Sequence, residues 1–162
     1  MPMGSANTTI QSTAHTFLCT HRAATLATMN ADKKPDAATV YYIVDKDLTI
    51  YFMTRIESRK FHNLENHPAV SMVITDEHTM ETIQLTGHAE RIENSITESE
   101  ALTKLWRADY KNPNWPGPAV KLFESGHSAQ LAVVKVAPQE MTYAVFQRQD
   151  KGKYTSFFEK VI

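Results

Sequence analysis

Cysteine is nearly missing from this chain of 162 residues, and the single one, Cys19, rules out an internal disulfide and any CxxC metal site. An excess of charge of one sign is missing too. The net charge is −1 and no basic stripe stands out, which argues against nucleic acid as a main partner. The longest apolar runs are far shorter than a membrane span needs. The opening MPMGSANTTIQST lacks the charged and greasy regions of a signal peptide, so the expected location is the cytoplasm. Neither GxSxG nor HExxH occurs. His62 and His67 stand five apart, not the four that would align them on one helical face. No metal is assigned: the seven histidines are expected at the surface or in structural roles, and Cys19 is expected to be a buried, inert thiol. Repeats, low-complexity tracts and linkers are lacking as well, so residues 1–162 read as one domain.

What is present suits a soluble globular protein, with 42% apolar and 22% charged residues and enough length to bury a core. In TTIQSTAHTFLC, Ile10, Ala14, Phe17 and Leu18 fall at helical spacing, with Thr8 or Thr9 as the cap. Three strands follow, Ala24–Met29, Ala37–Val44 and Leu48–Thr54. The turns NADKKPD and DKD between them are short enough to imply antiparallel hairpins. SRKFHNLENHP predicts a short helix with Ser58 as N-cap, Phe61 and Leu64 on one face, and Pro68 at its end. AVSMVITD is a further strand, and METIQLTGHAERIE a long one with Ile83, Leu85 and Ala89 inward and Gly87 at a bulge or bend.

NSITESEALTKLWRADY reads as the main helix, capped by Asn94 or Thr97. KNPNWPGP is a rigid loop and AVKLFES a short helix, with Trp106 and Trp115 as core or interface aromatics. AQLAVVKVAPQEMTYAVFQ predicts two last strands separated at Pro138. The resulting order predicts a mainly β fold with peripheral helices, a closed or nearly closed antiparallel barrel.

One stretch, TRIESRKFHNLENHP, carries chemistry. Two cations at a helix start run against the helix dipole, which favours negative charge there. Either Ser58 caps the helix while Arg59 and Lys60 point into water, or the three form a cradle for a phosphate. Residue pattern alone leaves both open.

The run from LATMNADKKPDAATVYYIVDKDLTIYFMTRIESRKFHNLENHPAVSMVI through HTMETIQLTGHAERIE resembles the flavin-binding split-barrel proteins related to pyridoxamine 5'-phosphate oxidase. The likeness spans about residues 24 to 93 and rests on the ordered set T-x-x-x-S-R-K, N-x-P and G-x-A-E-R at matching distances. It implies a six-stranded antiparallel split β-barrel of Greek-key type, a homodimer, and FMN held between the subunits. It also implies that Arg59 and Lys60 hold the FMN phosphate with help from Ser58, while Met53 and Thr54 line the phosphate and ribityl side. Ala38, Thr39, Val40, Tyr41, Tyr42 and Ile43 would run along the isoalloxazine, mostly through backbone groups. Thr82 takes the position where the oxidase has a glutamine reaching the flavin.

Departures from the oxidase pattern matter too. Ala38 and Ile43 replace an arginine and a lysine, and the arginine–histidine cluster that grips the substrate phosphate has no counterpart in GKYTSFFEKVI. The chain is therefore more similar to the smaller stress-protein-type members than to the vitamin B6 enzyme. The expectation is an FMN-dependent oxidoreductase using a small-molecule substrate and NAD(P)H, with no side chain singled out as catalytic. The alternatives are a flavin-binding module without turnover, or a split barrel that takes F420 or haem.

Overall fold

The structure, a computed structural model, describes residues 5–93, 100, 103–104, 125–126, 128–148 and 154–162. The helix expected over NSITESEALTKLWRADY, the loop and short helix after it, and both tryptophans lie almost wholly outside the described residues.

Helix α1 (Ser5–Thr20) buries Ile10, Ala14, Phe17 and Leu18, as their spacing predicts. It starts ahead of the expected caps, so Thr8 and Thr9 lie inside it. Threonine fits here because Thr13 and Thr16 donate their hydroxyl protons to the carbonyls of Thr9 and Ser12 one turn back.

Seven strands follow: β1 (Ala23–Met29), β2 (Pro35–Val44), β3 (Ile50–Arg55), β4 (Ala69–Asp76), β5 (Glu81–Arg91), β6 (Leu131–Arg148) and β7 (Tyr154–Lys160). Helix α2 (Arg59–Asn66) lies between β3 and β4. The order in space is β3-β2-β1-β4-β5-β6, and pairing of β3 with β6 closes these six into an antiparallel barrel. Strands β1 to β3 form a meander, and the connection through α2 returns the chain to lie beside β1, a Greek key. Leu26, Ile50, Phe52, Met72, Ile74, Ile83, Leu85, Val134 and Val136 fill the interior from five strands and are buried. Their removal from water is the main force closing the barrel.

Three expectations are corrected. Leu48 does not begin β3 but sits in the turn with φ 67°, a conformation leucine adopts at a cost. Its side chain is nevertheless buried, and that burial outweighs the backbone preference. Pro138 does not separate two strands. It lies within the 18-residue β6, opposite Gly87, while Glu140 faces Thr86. The register shift leaves Gln139 as the extra residue of a bulge, where a proline without an N–H is tolerated. Finally, YTSFFEK forms β7, which pairs with the second half of β6 outside the closed ring.

The pairing of β2 with β3 decides where a site is available. The two strands pair only through Tyr42–Val44 and Ile50–Phe52. Beyond Phe52, β3 pairs with β6 through Met53, Thr54 and Arg55, while residues 35–41 of β2 stay with β1. The strands therefore part, and the barrel is split on that side.

Candidate functional site

Ser58 sets the geometry at the split. Its backbone is extended (φ −76°, ψ 147°), and its Oγ accepts the Phe61 N–H at 3.3 Å, so it is the N-cap of α2. The same oxygen lies 3.0 Å from Oγ1 of Thr54, which is buried near the end of β3. Thr54 and Ser58 thus tie the helix start to the barrel wall.

That cap fixes where the next two side chains begin. Arg59 is 82% exposed and places a guanidinium nitrogen 3.3 Å from Oδ1 of Asp36. The other Asp36 oxygen accepts from Nδ2 of Asn63 at 3.3 Å, and the same amide donates to Oγ1 of Thr28 at 2.9 Å. Asn63 is buried, and these two bonds use both of its donors. Lys60 is half-buried and has no ion-pair partner among the described residues. Burial, and then the adjacent Arg59 charge, hold its ammonium below the ordinary lysine value. Thr28, Asp36, Ala37, Ala38, Arg59 and Lys60 line a pocket of about 240 Å³. Two neighbouring cations, one of them partly desolvated, meet there the positive end of a helix. An anion would relieve both strains.

The β2 residues divide by strand alternation. Val40 and Tyr42 turn into the core, and the Tyr42 hydroxyl donates to the Leu18 carbonyl at 3.0 Å. Ala38, on that same face, lines the pocket, whereas Thr39 is exposed on the other face with Tyr41 and Ile43 half-buried. The Tyr42 N–H donates across the β1 edge to Arg22. Ladder alternation turns the backbone groups of Ala37 and Thr39 to the opposite edge, which β3 has already left. Met53 is half-buried on β3 beside Thr54.

Ala38, Arg59 and Lys60 are therefore brought together, with Thr54 and Ser58 behind them. Thr82 is not. It is buried on β5 opposite Thr75, its hydroxyl donates to the Ile74 carbonyl at 3.0 Å, and the Thr75 hydroxyl lies 3.1 Å away. Asp36 faces Thr28 at one end of β1, whereas β4 runs from its Thr25–Val73 pair toward Thr75 at the other. Those ends are five residues apart, about 17 Å at the usual rise per residue. Asp36, Thr28 and Asn63 were not expected in the site. Asp36 reads locally as turn chemistry in NADKKPD, and only the β1–β2 register and the packing of α2 reveal its partners.

Cys19 is exposed rather than buried, with its sulfur 3.6 Å from His15 Nε2 one turn earlier. Helix α1 places it on the polar face, away from Phe17 and Leu18. Partial burial still pushes the thiol above its ordinary value. Among the described residues no three His, Cys, Asp or Glu side chains are grouped to hold a metal ion, and no helix is long and apolar enough to cross a membrane.

The family model described as pyridoxamine 5'-phosphate oxidase matches residues 10–144. The chain belongs to the pyridoxamine 5'-phosphate oxidase family. No curated protein matches it in sequence. Among solved structures, it is similar to a pyridoxamine 5'-phosphate oxidase-related, FMN-binding protein from Nostoc punctiforme. That match has 16% identity and a TM-score of 0.58, covering 98% of this chain and 99% of the other. An F420 reductase matches with 23% identity and a TM-score of 0.61, over 78% and 94% of the two chains. A haem storage protein from Vibrio cholerae matches with 15% identity and a TM-score of 0.63, over 80% and 91%. At such identities the shared property is the split-barrel fold. The pyridoxamine 5'-phosphate oxidase fold thus serves proteins named for three different cofactors.

Proposed function

We propose that this chain binds FMN in the split between β2 and the start of α2 and uses it as a cytoplasmic oxidoreductase on a small molecule, with NAD(P)H as electron donor. The observation that carries this reading is Lys60, a half-buried cation without an ion-pair partner among the described residues, beside Arg59 at a capped helix start. A phosphate monoester suits that donor set. The peptide groups of Ala37 and Thr39 on the vacated β2 edge suit the donors and acceptors of a planar heterocycle.

Arg59 and Lys60 would hold the phosphate, and the β2 edge would hold the ring. When bound, FMN supplies the hydride chemistry. The chain's part is orientation and exclusion of water: Thr54 and Ser58 keep the helix start in place, and the small Ala38 leaves room in the pocket. Among the described residues lining the pocket the carboxylate, Asp36, is already engaged by Arg59 and Asn63, so none of them is poised as an acid or base. The reading includes a homodimer with the site between subunits, which the resemblance to the flavin-binding split barrels implies.

The chromophore that co-purifies tests the reading. A yellow protein that releases FMN on denaturation is expected, and a flavin spectrum is readily told from haem or F420. A colourless preparation that takes up no added FMN would overturn it. Bleaching by NADH or NADPH with reoxidation in air is expected of an enzyme; FMN that stays oxidised would reduce the protein to a flavin-binding module.

A further inference from the structure

The two halves of the proposed flavin site stand on different elements. Arg59 and Lys60 begin α2, which only residues 56–58 separate from β3, whereas the vacated edge belongs to β2. Strand β3 leaves β2 beyond Phe52, so the ladder does not join the two halves beside the site. We propose that Asn63 is a positioning residue that fixes the distance between the phosphate cradle and the β2 edge. This rests on the reading of the split as an FMN site.

The bonds of Asn63 carry the argument. Its Nδ2 donates one proton to Oγ1 of Thr28 at 2.9 Å and the other to Oδ2 of Asp36 at 3.3 Å. Thr28 and Asp36 face each other across the β1–β2 ladder, so one amide pins α2 to both strands. Asn63 and Thr28 are buried, which keeps water from competing for the bond between them. The Arg59–Asp36 pair crosses the same gap, but Arg59 is 82% exposed and a bound phosphate would draw on it too. Phe61 and Leu64 hold the helix down by burial, which has no direction of its own. The amide bonds supply that direction.

A ligand that grips both halves gains from the high effective concentration of its second contact, and that gain depends on their spacing. A ligand that touches one half gains nothing from the spacing. Asn63 therefore acts on FMN as a whole and leaves its parts alone.

The test compares FMN, riboflavin and inorganic phosphate on the full chain. The flavins are titrated by calorimetry, and phosphate is followed through the Arg59 and Lys60 side-chain NMR signals. Asn63→Leu is close in volume but donates no side-chain hydrogen bond. It is expected to bind FMN about tenfold more weakly, with riboflavin and phosphate bound as in wild type. FMN bound as tightly as in wild type would overturn the proposal. So would equal weakening of all three ligands, which marks a merely structural role. Should Asn63→Leu fail to fold, Thr28→Val takes its place, since it removes the buried acceptor at nearly constant shape. The same pattern is then expected with an FMN loss of about threefold, and wild-type FMN affinity would overturn the proposal. Wild type that takes up no FMN would remove the flavin reading and this role together. FMN uptake that is equal in wild type and variant removes the role of Asn63 alone.

Discussion

Lys60 and Arg59 are neighbours in sequence but not equals in space, because one is half-buried and the other 82% exposed. A charge-assisted bond from a partly desolvated ammonium is worth about 1.5–3 kcal/mol, whereas an exposed ion pair contributes about 0–1 kcal/mol. Lys60→Ala is therefore expected to weaken FMN by the larger amount and Arg59→Ala by the smaller. Riboflavin, which lacks the phosphate, should be unaffected by either in calorimetric titration. Equal losses for riboflavin would place the phosphate elsewhere. A second residue-level prediction concerns Tyr143, whose hydroxyl donates to Glu81. Burial, reinforced by that carboxylate, pushes its phenol up to about 12. An unfolded tyrosine ionises near about 10. Between those values the unfolded chain releases a proton that the folded chain retains, so stability is full below about pH 10 and falls as pH rises through the window. Tyr143→Phe should flatten that alkaline fall in denaturation midpoints; an unchanged slope would count against the Glu81 contact.

Among the elements, α2 was the most legible, because its signals are local. Ser58, three residues before Phe61, is a cap whose hydrogen bond needs no distant partner, and Phe61 and Leu64 mark the buried face. Ser58→Ala is expected to cost about 1 kcal/mol of stability in urea titration, as lost caps do, and to loosen the helix start from Thr54. Strand β6 is hidden in the sequence for the opposite reason. A proline argues locally for a break, yet Pro138 sits where the long-range pairing with β5 has its bulge. Gly87 marks an irregular point in the sequence, and the structure supplies the cause. A Cβ there would lie 2.5 Å from the Ala137 carbonyl oxygen. Gly87→Ala should destabilise by about 1–3 kcal/mol through that overlap. A variant as stable as wild type would show that the bulge is soft.

For the molecule as a whole, the parting of β2 and β3 has the widest consequence. The β2 edge that β3 leaves beyond Phe52 is unpaired by β3, and a second copy set against it would enclose a flavin held there. Sedimentation of the flavin-loaded protein is expected to give twice the chain mass of 18.3 kDa. A monomer that still binds FMN tightly would rule out a site shared between subunits.

The sequence by itself determined the antiparallel hairpins, the capped helix and the basic pair after Ser58, because turn chemistry, alternation and capping act over a few residues. It also carried the family, through motifs held at fixed distances over some seventy residues. Only the tertiary structure decided that β3 leaves β2 after Phe52, that β6 runs unbroken through Pro138, and that Asp36 stands between Arg59 and Asn63. Each of these depends on pairing or packing between residues more than twenty positions apart. Contacts at that range are set by closing the barrel around its core, and no local propensity encodes them.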